Sequence, residues 1–226
     1  VPSPKILLKA FEEVKPNLIL TVPLILEKIY KKMILPQLSK TTMKVALNIP
    51  LLDSRIYAQI RKKLVDAFGG RFREVVVGGA AMNEEVTNFL YKIKFPFTIG
   101  YGMTECGPLI SYDHNDEYVP GSCGQILKGI MKVRIDSEDP YNKVGEIQVS
   151  GENVMKGYYK NEEATSKVFT EDGWLRTGDL GTIDADNRIY IRGRSKTMIL
   201  GASGQNIYPE EIESKLNNLP FVMESI

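Results

Sequence analysis

Between residues 73 and 102 the chain runs through one pattern of punctuation, and that pattern narrows the fold more than anything else in the sequence. Residues 73–77 read as an interior strand, because Val75-Val76-Val77 has no polar alternation. Gly78-Gly79 ends it. Asn83 then predicts a helix start, with Glu84 and Glu85 in the first turn, where carboxylates suit the positive end of the helix. Val86, Phe89, Leu90 and Ile93 recur as its buried stripe. Residues 95–99 read as the next strand, closed by Gly100-Tyr101-Gly102. Strand, glycine-rich turn, helix, strand is how a parallel α/β sheet is written.

The flanks extend this reading. Ser3-Pro4 predicts a helix carrying Ile6, Leu7, Ala10, Phe11 and Val14. Residues 18–22 read as a short buried strand, and residues 24–33 as an amphipathic helix. Residues 35–52 give no clear pattern. Asp53 or Ser54 is expected to cap a further helix with the stripe Ile56, Ile60, Leu64 and Phe68, stopped by Gly69-Gly70. Past Gly121 the style changes to short β-runs at 131–135, 145–149, 181–183 and 188–191, separated by Asp136-Ser137, Asp172-Gly173 and Asp186-Asn187. This predicts an antiparallel sheet or small barrel. Residues 209–216 read as a short helix opening a third unit. The expected fold class is therefore α/β: a partial parallel-sheet subdomain, then a small antiparallel β subdomain, then the start of an α+β domain. The expected boundaries are 1–122, 123–193 and 194–226.

Composition removes several functions. The chain has 226 residues and a net charge of +1, which gives no electrostatic case for nucleic acid or for an anionic membrane. Cys106 and Cys123 cannot build a disulfide framework or a cysteine zinc site, and they fit a reducing, cytoplasmic setting. His114, the single histidine, excludes multi-histidine metal sites. No apolar run approaches the roughly 20 residues of a membrane helix, while peripheral membrane contact is left open. The start Val-Pro-Ser-Pro, and an end at residues 221–226 with no stop signal, suggest a piece of a longer protein.

Ligands of an open parallel sheet bind outside the carboxyl ends of its strands, so the glycine-rich strand ends are the candidate site. Gly78-Gly79-Ala80 is one, with a plain tight turn as the alternative. Gly100-Tyr101-Gly102-Met103-Thr104-Glu105 is the other. Its glycines admit a base or phosphate close to the backbone. Tyr101 offers a stacking face, Thr104 a hydroxyl to phosphate, and Glu105 a hard oxygen ligand for Mg²⁺. Asp179, ending Trp174-Leu175-Arg176-Thr177-Gly178-Asp179, can accept both hydroxyls of a ribose or simply serve a turn. Arg192-Gly193-Arg194-Ser195-Lys196 reads by itself as a solvated basic turn. Cys106 reads as a small turn residue, His114 as part of a polar surface loop, and Trp174 as packing.

The order of these runs, with Gly145-Glu146-Ile147, Gly157-Tyr158 and the stretch from Gly204 through Asn206 to Glu213, resembles the adenylate-forming enzymes: acyl-CoA synthetases, peptide-synthetase adenylation domains and luciferases. Val22-Pro23 with Glu27-Lys28-Ile29-Tyr30, and the lengthened turn Gly201-Ala202-Ser203-Gly204, are similar to the long-chain fatty acid–CoA ligase branch. The resemblance implies ATP-dependent activation of a fatty acid to an acyl-adenylate, then transfer to coenzyme A, with fatty acid, ATP, CoA and Mg²⁺ as small-molecule partners. It implies that Gly78, Gly79 and Ala80 belong to the adenine pocket, with Tyr101 against the base. Thr104 would touch phosphate, Glu105 would hold Mg²⁺, and Asp179 would bind the ribose. Arg194 would reach the nucleotide, and Lys196 would sit at the hinge of a mobile C-terminal domain. Gly100, Gly102 and Met103 would border the nucleotide, with residues 100–102 also beside the acyl tunnel. The family's phosphate loop and terminal lysine have no counterpart here, so the expected state is a fragment inactive alone, completed by the rest of the parent chain. An adenylation domain serving a carrier protein, and a non-catalytic nucleotide-binding module, are the alternatives.

Overall fold

The computed structural model describes residues 4–201, 203, 205–219, 222 and 225. They fall into two compact units. One comprises the chain up to Thr98 together with His114–Pro120. The other comprises Ile99–Asp113 and the chain from Gly121 onward.

The first unit carries a three-stranded sheet in the order β1 (Leu18–Thr21), β2 (Glu74–Val77), β3 (Phe97–Ile99). β1 and β2 pair in parallel with Ile19 opposite Val75 and Thr21 opposite Val77. α1 (Pro4–Val14) precedes β1, and helices supply the connections between the strands, as parallel pairing demands. They are α2 (Pro23–Ile29), α3 (Leu35–Leu38), α4 (Thr41–Leu47) and α5 (Leu52–Ala67) from β1 to β2, and α6 (Glu84–Lys92) from β2 to β3. Central β2 is buried as its uninterrupted valines predict, with Val75 and Val77 fully inaccessible. Phe68, at the end of α5, stacks on Phe11 at 5.4 Å and meets Phe95 at 5.7 Å. Each such ring contributes on the order of 1.5–3 kcal/mol through burial.

Several expectations are corrected. The strand at 18–22 is not buried throughout: Leu18 and Leu20 are 52% and 74% exposed, while Ile19 between them is buried. Successive side chains of β1 point to opposite faces of the sheet, and one face packs while the other does not. The run 24–33 is helical, but α2 passes into a π-helical turn at Tyr30–Ile34, a break in register that periodicity alone does not reveal. Residues 35–52 hold α3 and α4. α5 is capped by neither Asp53 nor Ser54. Its N-cap is Leu51, with φ 70°, and the Ser54 hydroxyl donates back to the Leu51 carbonyl. Of its stripe, Leu64 and Phe68 are buried and Ile56 and Ile60 only partly so. Ser3, Phe221, Met223, Glu224 and Ile226 lie outside the described residues.

The second unit is built on an antiparallel meander in the order β6 (Met131–Asp136), β7 (Gly145–Gly151), β8 (Leu175–Ile183), β9 (Ile189–Arg194). Its core gathers Ile110, Ile126, Ile135, Ile147, Val149, Leu175 and Ile189. A short hairpin, β4 (Tyr101–Gly102) against β5 (Leu109–Ser111), brings Tyr101 and Cys106 into that core. Helix α7 (Glu162–Val168) joins β7 to β8. β10 (Ile199–Leu200), β11 (Asn206–Ile207) and α8 (Pro209–Leu216) follow β9. β8 and β9 are longer than the predicted runs, and the stretch 174–179 is mostly strand, not turn: Leu175 pairs with Val149, and Asp179 pairs with Arg194.

Candidate functional site

Each glycine-rich strand end is shaped by a specific local demand. In the first unit, β2 stops at Gly78, whose N–H donates to the Thr21 carbonyl at 3.1 Å. Gly79 follows at φ 87°, the left-handed region that disfavours other residues, and Gly79 and Ala80 are exposed. Four residues on, the Asn83 side chain accepts from the Val86 N–H at 3.3 Å and starts α6, as its sequence predicts. The Glu27 carboxylate accepts from the Asn83 N–H at 2.9 Å, which ties α2 to this turn.

In the second unit, the stretch 100–105 leaves the hairpin strand and enters a 3₁₀ turn at Thr104–Cys106. A Cβ on Gly102 would fall on the Pro108 carbonyl, the oxygen that accepts the Met103 N–H at 2.8 Å. Glycine is therefore required for this hairpin to close. Thr104 is exposed, Met103 packs partly against the core, and Cys106 is fully buried. Burial, with Glu105 adding to it, pushes the Cys106 thiol up to about 11, consistent with a small, unreactive turn residue.

Tyr101 and Asp179, 78 residues apart, meet directly: the Tyr101 hydroxyl donates to Asp179 Oδ2 at 2.7 Å. Both residues are buried, at 7% and 8% exposure. Burial first, then the Asp179 charge, raises the Tyr101 phenol far above its ordinary value, so it remains a donor. Arg194 Nε lies 3.3 Å from Asp179 Oδ1. Sequence reasoning treats Tyr101 as a stacking face only. Its polar tip, committed to Asp179, is legible only once the fold brings β4 and β8 within reach of one side-chain hydrogen bond. Behind them, the Asp179 N–H donates to Thr177 Oγ1 at 3.1 Å, and the Ser195 N–H returns to the Gly178 carbonyl at 2.9 Å. Lys196 is exposed in the turn that leaves β9.

Glu105 is held from another direction. Its carbonyl accepts the Met155 N–H at 2.7 Å, and Oε1 accepts the Tyr158 hydroxyl at 2.9 Å. Among the described residues, no group of three or more His, Cys, Asp or Glu side chains could enclose a metal ion. A single half-buried carboxylate such as Glu105 suits Mg²⁺ shared with phosphate oxygens and water, not an all-protein cage.

The structure therefore brings Tyr101, Gly102, Thr104, Glu105, Asp179 and Arg194 into one unit, while Gly78, Gly79 and Ala80 belong to the other. Ala202 and Gly204, of the lengthened turn, lie outside the described residues. His114 is exposed, as a surface-loop residue should be. Its Nδ1 nonetheless lies 3.4 Å from buried Glu74, whose carboxylate also accepts the Asn115 N–H at 3.0 Å. A trough of about 860 Å³ on the meander is lined by Arg134, Gln148, Thr170 and Arg176. Its guanidinium groups are already paired, Arg134 with Asp172 at 2.6 Å and Arg176 with Glu146 at 3.1 Å. None of the candidate residues lines it. Among the described residues, no helix is long and apolar enough to cross a membrane.

Comparison with known proteins gives the same direction. A family model described as AMP-binding enzyme matches residues 1–159. The chain is 29% identical over 228 residues to long-chain-fatty-acid–CoA ligase 1 of Saccharomyces cerevisiae, covering 93% of this chain and 33% of that protein. It is 33% identical over 167 residues to a long-chain-fatty-acid–CoA ligase of Mycobacterium bovis, covering 74% and 26%. It is 37% identical over 156 residues to 4-coumarate–CoA ligase 5 of Oryza sativa, covering 64% and 29%. The chain thus spans a third or less of these three relatives. Among solved structures, o-succinylbenzoate CoA synthetase from Bacillus subtilis, in complex with its acyl-adenylate intermediate, superposes with TM-score 0.73 at 26% identity, covering 99% of this chain and 40% of that one. With the folds and the loops in agreement, the chain belongs to the AMP-binding enzyme family.

Proposed function

We propose that the protein carrying this chain is an acid–thiol ligase that activates a fatty acid with ATP and passes the acyl group to coenzyme A. The observation that carries the proposal is the 2.7 Å bond between Tyr101 and Asp179, with Arg194 on the second carboxylate oxygen. Residues from three separate signature runs converge on one buried carboxylate. Such a carboxylate, oriented in advance, suits a vicinal diol, because an acceptor fixed by one neutral donor and a neighbouring cation loses little freedom on exchanging a partner for a ligand hydroxyl.

In this reading Asp179 binds the ribose hydroxyls and Arg194, which is exposed, gives up its carboxylate contact to face the nucleotide. Gly78, Gly79 and Ala80 border the adenine and Tyr101 packs against it. Gly100, Gly102 and Met103 border the nucleotide, with residues 100–102 also beside the acyl group. Thr104 donates to phosphate and Glu105 holds Mg²⁺. Lys196 lies at the hinge of the domain that starts after β9. The metal neutralises phosphate charge when bound. The chemistry asks for charge stabilisation more than for proton transfer, which agrees with the single histidine in the sequence. A cytoplasmic location and participation in lipid metabolism go with this reading.

A second reading has its own support. The 4-coumarate–CoA ligase of Oryza sativa is 37% identical over its match, above the 29% and 33% of the two fatty-acid ligases. An aromatic acid is then the substrate. Carboxylate-dependent exchange of pyrophosphate into ATP by the full-length parent protein, over fatty acids of graded length and hydroxycinnamates, separates the two. Exchange with fatty acids alone supports the first, exchange with hydroxycinnamates alone the second, and exchange with neither overturns both.

A further inference from the structure

Tyr158 lies 53 residues from Glu105 in sequence, yet its hydroxyl donates to Glu105 Oε1 at 2.9 Å. Among the described residues the other oxygen, Oε2, takes no hydrogen bond and no ion pair. One half of the carboxylate is committed to the protein and the other half is available.

The partners are set by backbone as well as by side chains. Around Glu105, the Met155 N–H donates to the Glu105 carbonyl at 2.7 Å, and Asn153 Nδ2 donates to the Cys106 and Leu109 carbonyls at 2.7 and 2.8 Å. Stretch 153–155 therefore clamps the 3₁₀ turn that presents Glu105. Around Tyr158, the backbone N–H donates to Thr165 Oγ1 at 2.9 Å, and that hydroxyl donates in turn to the Asn161 carbonyl at 2.8 Å. Asn161 caps α7 by accepting the Ala164 N–H at 3.0 Å. A Cβ on Gly157 would lie 2.8 Å from Thr165 Cγ2, so the chain before Tyr158 runs against α7 in a way only glycine allows. Tyr158 is thus mounted on a capped helix and reaches across to the turn.

We propose that Tyr158 is a positioning residue for Glu105, pinning Oε1 so that Oε2 is presented to the Mg²⁺ of the bound nucleotide. This rests on the reading of Glu105 as the metal-holding carboxylate. An unpinned glutamate side chain samples several rotamers, and only some of them aim Oε2 at one point. The tyrosine hydroxyl removes the others at no cost in charge. Partners that orient metal ligands typically contribute about 10- to 100-fold in metal affinity. The low end, about tenfold, is expected for a pair open to water.

The test is equilibrium binding to the full-length parent protein, with MgATP in one arm and AMP in EDTA in the other. Y158F keeps the ring and removes only the hydroxyl. The expected result is MgATP binding weakened about tenfold with AMP binding unchanged, and the same pattern, at least as large, for E105Q. If E105Q loses MgATP affinity and Y158F does not, the positioning role is overturned and the reading of Glu105 survives. If neither variant changes MgATP binding, the reading of Glu105 fails and takes the positioning role with it. A loss of AMP binding in Y158F equal to its loss of MgATP binding would mark a merely structural role and also overturn the proposal. Should Y158F prove unfolded by circular dichroism, T165V, which removes the acceptor for the Tyr158 N–H together with the donor to the Asn161 carbonyl, carries the same comparison.

Discussion

At the scale of single residues, the chemistry concentrates on carboxylates whose partners are set by neighbours distant in sequence. Asp179 is buried against one neutral hydrogen-bond donor, Tyr101, and one cation, Arg194. In the full chain, Asp179→Asn is expected to weaken AMP binding by about 10- to 100-fold, because hydrogen bonds to a charged acceptor contribute about 1.5–3 kcal/mol. Calorimetric titration with AMP measures it directly. Cys106 gives an independent check on the core beside Tyr101. Its thiol, pushed up to about 11, should resist iodoacetamide at pH 8 in the native chain and react once denaturant is added, as followed by mass spectrometry. The same shift fixes a sign. An unfolded cysteine ionises near about 8.5, so between there and about 11 the folded state holds a proton that the unfolded state has lost. Stability from this group is complete below about 8.5 and falls as pH rises toward 11.

At the scale of elements, caps and close approaches carry the testable content. Asn83→Ala removes the acceptor for the Val86 N–H at the start of α6. The expected cost is about 1 kcal/mol, read as a lowered midpoint in urea with the slope unchanged. The meander is more sensitive. Ile147 is fully buried on β7 among Ile135, Val149 and Ile189. Ile147→Ala should cost about 2–5 kcal/mol, measured by the same unfolding curve. α6 could be read from the sequence because its cap, acidic first turn and apolar stripe are all local. The start of α5 could not. Asp53 and Ser54 look like caps, but the chain enters the helix through Leu51 in a left-handed conformation. The π-helical turn after α2 was hidden for the same reason, since a residue type does not report the register of its hydrogen bonds. Leu18 and Leu20 misled in another way. An unbroken apolar run says that a strand can be buried on both faces, not that both faces are covered.

At the scale of the whole molecule, the sequence was enough for the α/β grammar of the first unit, the antiparallel character of the second and the family. Each of these rests on local patterns: uninterrupted valines, glycine at strand ends, turn residues at short spacing, and signature runs in a fixed order. The partners inside the site were a different matter. That the Tyr101 hydroxyl reaches Asp179, that Arg194 pairs across β8 and β9 with the same carboxylate, and that Tyr158 touches Glu105 depend on strand pairing and on the clamp of 153–155 over the 3₁₀ turn. Residue order can nominate side chains for a ligand, because chemistry belongs to residue types. Which of them hold one another is decided by packing, because contacts between residues dozens of positions apart form only when the hydrophobic core fixes the register of the strands that carry them.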